Sequence, residues 1–173
     1  MAPPPITKIP LTISDKWLEY ICLLLLAGTW ALTIFFFHNL PGPIPTHYNA
    51  AGYADRFGNN LSSLMLPLIA TFLYILLTVL NKYPQYYNYP AGVTNENAKK
   101  LYKSASRLVR IIKFLALLVL SGIVVLDIHT AITGSNGNRP WLLPLIITLF
   151  VLPNIFFFLR MNKKDDRSQS LIG

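Results

Sequence analysis

The sequence predicts an all-α integral membrane fold, a bundle of four transmembrane helices with both termini cytoplasmic. Three observations carry that prediction. Of the 173 residues, 53% are hydrophobic and 13% charged, about half the charged share of a soluble domain, and the mean hydropathy is +0.46. Four segments, 17–37, 61–80, 108–132 and 141–159, have the length of roughly 20 apolar residues that a helix needs to cross the hydrocarbon core. Their apolar character is continuous, whereas strands of a membrane barrel alternate with period two.

Lys and Arg orient the bundle. Of the 15 such residues, all but Arg56 and Arg139 fall in the N-terminal tail, in the connection between the second and third segments with the foot of the third, or in the C-terminal tail. By the positive-inside rule these parts are cytoplasmic, and the connections holding Arg56 and Arg139 face outward. The net charge of +8 thus belongs to membrane orientation and an anionic inner leaflet, not to nucleic acid.

Residues 1–16 read as a Pro-rich cytoplasmic tail, 17–160 as the membrane domain and 161–173 as a polar cytoplasmic tail. The first segment opens on Trp17 and Tyr20, aromatics suited to the headgroup level. Its apolar stretch exceeds the roughly 7–15 residues of a cleavable signal. Trp30, in the middle of the segment, is expected to pack against another helix. A single Cys, Cys22, permits no internal disulfide and no zinc site of the cysteine type. Thr29, Thr33, Thr71, Thr78, Ser121 and Asn154, with Pro67, Pro144 and Pro153, predict kinked helices whose freed carbonyls are met by local side chains. No chain of acids or amides crosses the segments, which argues against an ion or proton path.

The connection LPGPIPTHYNAAGYADRFGNN, Leu40 to Asn60, is too patterned for a tether. Pro41 and Pro43 end the first helix, Pro45 keeps Ile44 extended, and Asn49 to Gly52 reads as a turn in which Gly52 takes positive φ. His38, His47, Asp55, Asp127 and His129 all fall on the outward side, near Asn49 and Arg56. Imidazole and carboxylate together suit a divalent metal, or a water held for acid–base chemistry. His47, Asp127 and His129 are therefore the metal candidates, which requires the His47 ring to reach Asp127 or His129 directly or through one water. The spacing is not diagnostic, because residues two apart on a helix point about 200° apart, and no HExxH, P-loop or Ser-His-Asp order occurs. The other reading is a set of hydrogen-bonded side chains that order the loop, with Asp127 paired to a cation such as Arg56 or Arg139.

In the cytoplasmic connection, Pro84 and Pro90 bar a continuous helix through the first half. Thr94 is then a candidate N-cap with Glu96 in the first turn, and Ala98, Leu101, Tyr102, Ala105, Leu108 and Val109 recur at helical spacing. Lys99, Lys100, Lys103, Arg107 and Arg110 occupy the intervening positions. This predicts a basic amphipathic helix lying on the inner membrane surface before the chain turns into the third span. There it can meet anionic lipid or an acidic protein partner.

The pattern LP-x-x-IP-x-H-aromatic-N-x-x-G-x-x-D-x-aromatic-G is carried by Leu40, Pro41, Ile44, Pro45, His47, Tyr48, Asn49, Gly52, Asp55, Phe57 and Gly58. It resembles the membrane domain known as domain of unknown function 1648, found at the N-terminal end of bacterial SdpI-type immunity proteins. Asn88, Tyr89, Pro90, Thr94, Glu96 and Asn97 resemble a cytoplasmic stretch of its small stand-alone members. Asn60 stands where the resemblance leads one to expect a basic residue, and the second half of the longer proteins has no counterpart in the four spans. Immunity to a secreted peptide toxin and repressor sequestration belong to those longer proteins. The resemblance implies a multi-pass protein of the bacterial cytoplasmic membrane, with no cofactor. Two functions are consistent with the residues. One is a non-enzymatic protein whose outward loop meets a ligand such as a peptide, while its inner face meets lipid or a protein. The other is a metal-binding protein or metal-dependent enzyme that uses the outward His and Asp residues.

Overall fold

The computed structural model describes residues 9–40, 43–89, 92–135 and 138–169. Four helices, α1 (Ile13–Phe36), α2 (Met65–Leu80), α3 (Ala98–Thr133) and α4 (Leu142–Gln169), are joined by an antiparallel hairpin, β1 (Ile44–Tyr48) and β2 (Ala54–Gly58), between α1 and α2. The fold is mostly helical, but the hairpin corrects the all-α expectation. Prolines bar helix in this connection, and β-branched Ile44 and Thr46 favour extended backbone. Two extended flanks around a tight turn then satisfy their peptide groups by pairing with each other.

Three helical stretches, Ile13–Phe36, Asn60–Leu80 (a 3-10 turn followed by α2) and Ala98–Thr133, are long and apolar enough to cross a membrane. The fourth expected span forms α4, whose apolar stretch Leu142–Phe157 is shorter than those three. Its helix continues to Gln169, so the tail expected from residue 161 is helical as far as it is described. At the other terminus, Thr12 Oγ1 accepts from the Asp15 amide at 3.3 Å and Asp15 Oδ2 accepts from the Thr12 amide at 2.9 Å. This reciprocal cap starts α1 at Ile13, inside the expected tail.

The basic stretch is not a separate surface helix. It forms the first turns of α3, which runs unbroken for 36 residues, or about 54 Å at about 1.5 Å per residue. That exceeds the roughly 30 Å hydrocarbon core. Neither Gly nor Pro occurs between Ala98 and Ser121 to end or bend it. The helix N-cap is Asn97 and not the expected Thr94, which instead closes the preceding turn, its Oγ1 accepting from the Asn97 amide at 3.3 Å while Asn97 Oδ1 accepts from the Thr94 amide at 2.8 Å. The Tyr89 ring lies tilted against Tyr102, 5.6 Å between centroids, and its hydroxyl donates to the Pro84 carbonyl. Pro41 and Pro90 lie outside the described residues.

Where α1, α2 and α3 meet, small and polar side chains sit among leucines and aromatics in the interior. Cys22, Ala70 and Leu117 are buried together, and Thr29 Oγ1 lies 2.7 Å from Ser121 Oγ. Trp30 Nε1 donates to Thr71 Oγ1 at 2.9 Å, so this ring packs across helices as expected. Leu24, Phe35 and Phe72 point away from the bundle. Small and polar residues at the helix contacts, with large apolar ones also facing outward, suit helices packed in lipid, where close backbone approach and interhelical hydrogen bonds are favoured.

Candidate functional site

The hairpin turn is built by one side chain. Asn49 Oδ1 accepts from the amides of Ala51 and Tyr53, each at 3.0 Å, while the Gly52 amide donates to the Asn49 carbonyl at 2.9 Å. Gly52 takes φ +81°, as the sequence predicts. Its carbonyl accepts from the Arg139 amide at 2.8 Å, and a Cβ there would fall 2.3 Å from the Arg139 carbonyl. The turn is thereby stapled to the connection between α3 and α4. Gly58 is also forced by contact, since a Cβ would lie 2.1 Å from Ser62 Oγ.

The root of the hairpin is seated by apolar packing of Ile44 and Leu40 on Ala131, with Phe36 and Ile128 beside them. Register pairs Ile44 with Gly58 and Tyr48 with Ala54, and an irregularity around His47 turns that residue outward. Asn60, at the position where a basic residue is expected, donates from Nδ2 to the Phe37 carbonyl at 3.1 Å and ties the start of the second span to the end of the first.

His47 Nδ1 lies 2.5 Å from Asp55 Oδ1, on the exposed side of the hairpin. This hydrogen bond holds the Asp55 carboxyl below the usual aspartate range. His38 is exposed against the Phe37 ring, and His129 is exposed while Asp127, two residues earlier on α3, is buried. The outward histidines and acids thus point to different surroundings, and no three His, Cys, Asp or Glu side chains gather as metal ligands among the described residues. His47 and Asp127 border one cavity but hydrogen-bond elsewhere.

Asp127 is 7% exposed and accepts from the Tyr48 hydroxyl at 2.6 Å. Arg139 Nη1 donates to the same hydroxyl at 3.1 Å, and Nη2 donates to Thr130 Oγ1 at 2.9 Å and the Leu126 carbonyl at 3.1 Å. Of the two cations expected near Asp127, Arg139 approaches through Tyr48, while Arg56 is exposed on β2. Burial, and then the neighbouring carboxylate, push the Tyr48 hydroxyl well above its ordinary value, so it keeps its proton and donates it. Below the hairpin is a cavity of about 290 Å³, walled by Phe36, Ile44, Leu66 and Val124 and bordered by Tyr48 and Asp127.

A second polar cluster lies at the opposite end of the helices, where the sequence leads one to expect none. Glu19 on α1 meets Lys113 Nζ on α3 at 2.5 Å and Arg110 Nε at 3.3 Å. Asp15 lies 3.8 Å from Arg110 Nη1. Lys113, fully buried, also donates to Thr78 Oγ1 on α2 at 3.0 Å and sits over the Tyr74 ring. A signal for it is present in the residue spacing: Asp15 and Glu19 are four apart and Arg110 and Lys113 three apart, so each pair shares one helix face. Taken only as orienting charge, the two cations do not stand out.

Residues 24–71 match the family described as Domain of unknown function (DUF1648), a stretch that contains the whole hairpin and bears out the resemblance read from its motif. An archaeal relative from Archaeoglobus fulgidus, described only as an uncharacterized protein, is 29% identical over 183 aligned positions, covering 97% of this chain and 98% of the relative. No solved structure matches the chain.

Proposed function

We propose that this is a non-enzymatic, four-span membrane protein whose hairpin, facing out of the cytoplasm, covers a binding site for an apolar ligand. The observation that carries the proposal is the cavity of about 290 Å³ beneath the hairpin. An apolar cavity of about 150 Å³ is enough to hold benzene. The residues of the loop motif are the ones that build its cover: Asn49 and Gly52 shape and fasten the turn, Gly58 allows close approach, and Tyr48 reaches down to Asp127. Positioning residues of this kind around a mostly apolar hollow are what a small-ligand site requires.

Charge supports the orientation. Arg56 and Arg139 are the cations of the hairpin end, whereas Lys99, Lys100, Lys103 and Arg107 are exposed on the first turns of α3. With the hairpin outside, that basic stretch meets the anionic inner leaflet of a prokaryotic cytoplasmic membrane, or an acidic protein there. A ligand arriving from outside, a small apolar molecule or the side chain of a peptide, enters by displacing the hairpin. The immunity role of the longer SdpI-type proteins forms no part of this proposal.

Native mass spectrometry of the detergent-purified protein with octan-1-ol tests it. The alcohol should be retained by the wild type and lost from Val124→Trp, which fills the cavity from α3, and from Ile69→Phe, which fills it from α2. Equal retention by all three proteins would overturn the proposal.

A further inference from the structure

Asp127 is a buried carboxylate in a span, and no cation of the described residues pairs with it directly. Its hydrogen bond comes from the uncharged Tyr48 hydroxyl, and among the described residues no Lys, Arg or His lies within ion-pair distance of it. The nearby Arg139 guanidinium stands behind the Tyr48 phenol and gives its hydrogen bonds to Tyr48, Thr130 and the Leu126 carbonyl, so its charge reaches Asp127 only across that phenol. Asp127 nevertheless borders the cavity, whose other walls are mostly aliphatic and aromatic. A buried carboxylate with no direct ion pair keeps the capacity to accept a charged donor, and an acid inside a span marks a functional position by default.

We propose, building on the binding site above, that the cavity takes a small amphipathic amine, its ammonium group on the Asp127 carboxylate and its hydrocarbon body against Phe36, Leu66 and Val124. One molecule then supplies both the direct charged donor that Asp127 lacks and an apolar body that suits the walls. Among the described residues the cavity wall has no Lys or Arg to receive a phosphate. This favours an amine attached directly to hydrocarbon over an aminophospholipid headgroup, which would carry a phosphate in with it. His47, the other basic group at the rim, is held outward by Asp55.

Octylamine and octan-1-ol share a chain and differ in the head, so their affinities for the detergent-purified protein at neutral pH separate the two claims. A charge-assisted hydrogen bond at Asp127 should make the amine bind about ten-fold tighter than the alcohol. Asp127→Asn should bring the two affinities together while the alcohol still binds, and Val124→Trp should lose both ligands. Equal affinity of the two ligands in the wild type would overturn the amine assignment and leave the apolar site standing. Binding of neither would remove the site and the assignment together. If Asp127→Asn fails to fold, the wild-type ratio decides alone. Glycerophosphoethanolamine, added as a competitor, should not displace octylamine; displacement would point to the aminophospholipid instead.

Discussion

At the end away from the hairpin, Asp15 and Glu19 of α1 face Arg110 and Lys113 of α3, two acids against two cations, with Thr78 and Tyr74 of α2 completing the shell around Lys113. At the hairpin end, Asp127 faces a phenol, and the cation behind that phenol is already committed to other acceptors. The first cluster balances its charge internally and joins three helices, so it fixes their arrangement. The second holds its acid and its cation apart across a phenol and, among the described residues, leaves the carboxylate without a direct ion pair beside a cavity, an arrangement that can receive a ligand. Direct pairing at one end and phenol-bridged pairing beside a cavity at the other distinguish a lock from a site.

Removing Lys113 should have the largest effect. Lys113→Met leaves Glu19 facing the helix interface with a weakened partner set, and thermal unfolding in detergent should show a loss of about 3 kcal/mol. The double variant Lys113→Met/Glu19→Leu should recover most of it, as expected of a neutral pair exchanged for apolar packing. If the double variant is as unstable as the single one, the cluster is not a lock.

Gly52→Ala should have the next largest effect, about 2 kcal/mol, because alanine is strained at φ +81° and its Cβ meets the Arg139 backbone. The loss should be local: hydrogen exchange should rise in the hairpin while α1 amides near Glu19 keep their protection. Tyr48→Phe should cost about 1 kcal/mol or somewhat more, since Asp127 loses its donor and Arg139 one acceptor. That variant should also raise hairpin exchange without touching the opposite end.

The exposed pair on the hairpin should matter least. Asp55 is held below its ordinary value of 3.8 by the His47 hydrogen bond, so its contribution is fully present above that value and is lost as pH falls through the lowered one. Hairpin exchange measured across this acidic range should therefore show a small rise at the low end that Asp55→Asn abolishes and high salt weakens.

Much of this architecture is legible in the residues themselves. Hydropathy marks the helices, the proline and Asn-to-Gly pattern marks the turn, and residue type alone assigns Gly52 its positive φ. The hairpin is harder to read because its strands are five residues each, with proline and two charged residues breaking the alternation that identifies a strand. The unbroken α3 is obscured because charge normally signals a surface, whereas a long helix carries charge inward when acids on a neighbour receive it. The partners of Asp127 do not follow from spacing, because Tyr48 and Arg139 are brought to it by the hairpin stapling onto the next connection.

Hydrogen exchange of the wild-type protein with and without octylamine decides whether the hairpin end is a binding site. Added protection is expected only in residues 44–58 and the facing turns of α3, absent in Val124→Trp, with the amides around Asp15 and Glu19 unchanged. Protection spread evenly over both ends, or none in the hairpin at saturating amine, would contradict a site at the hairpin.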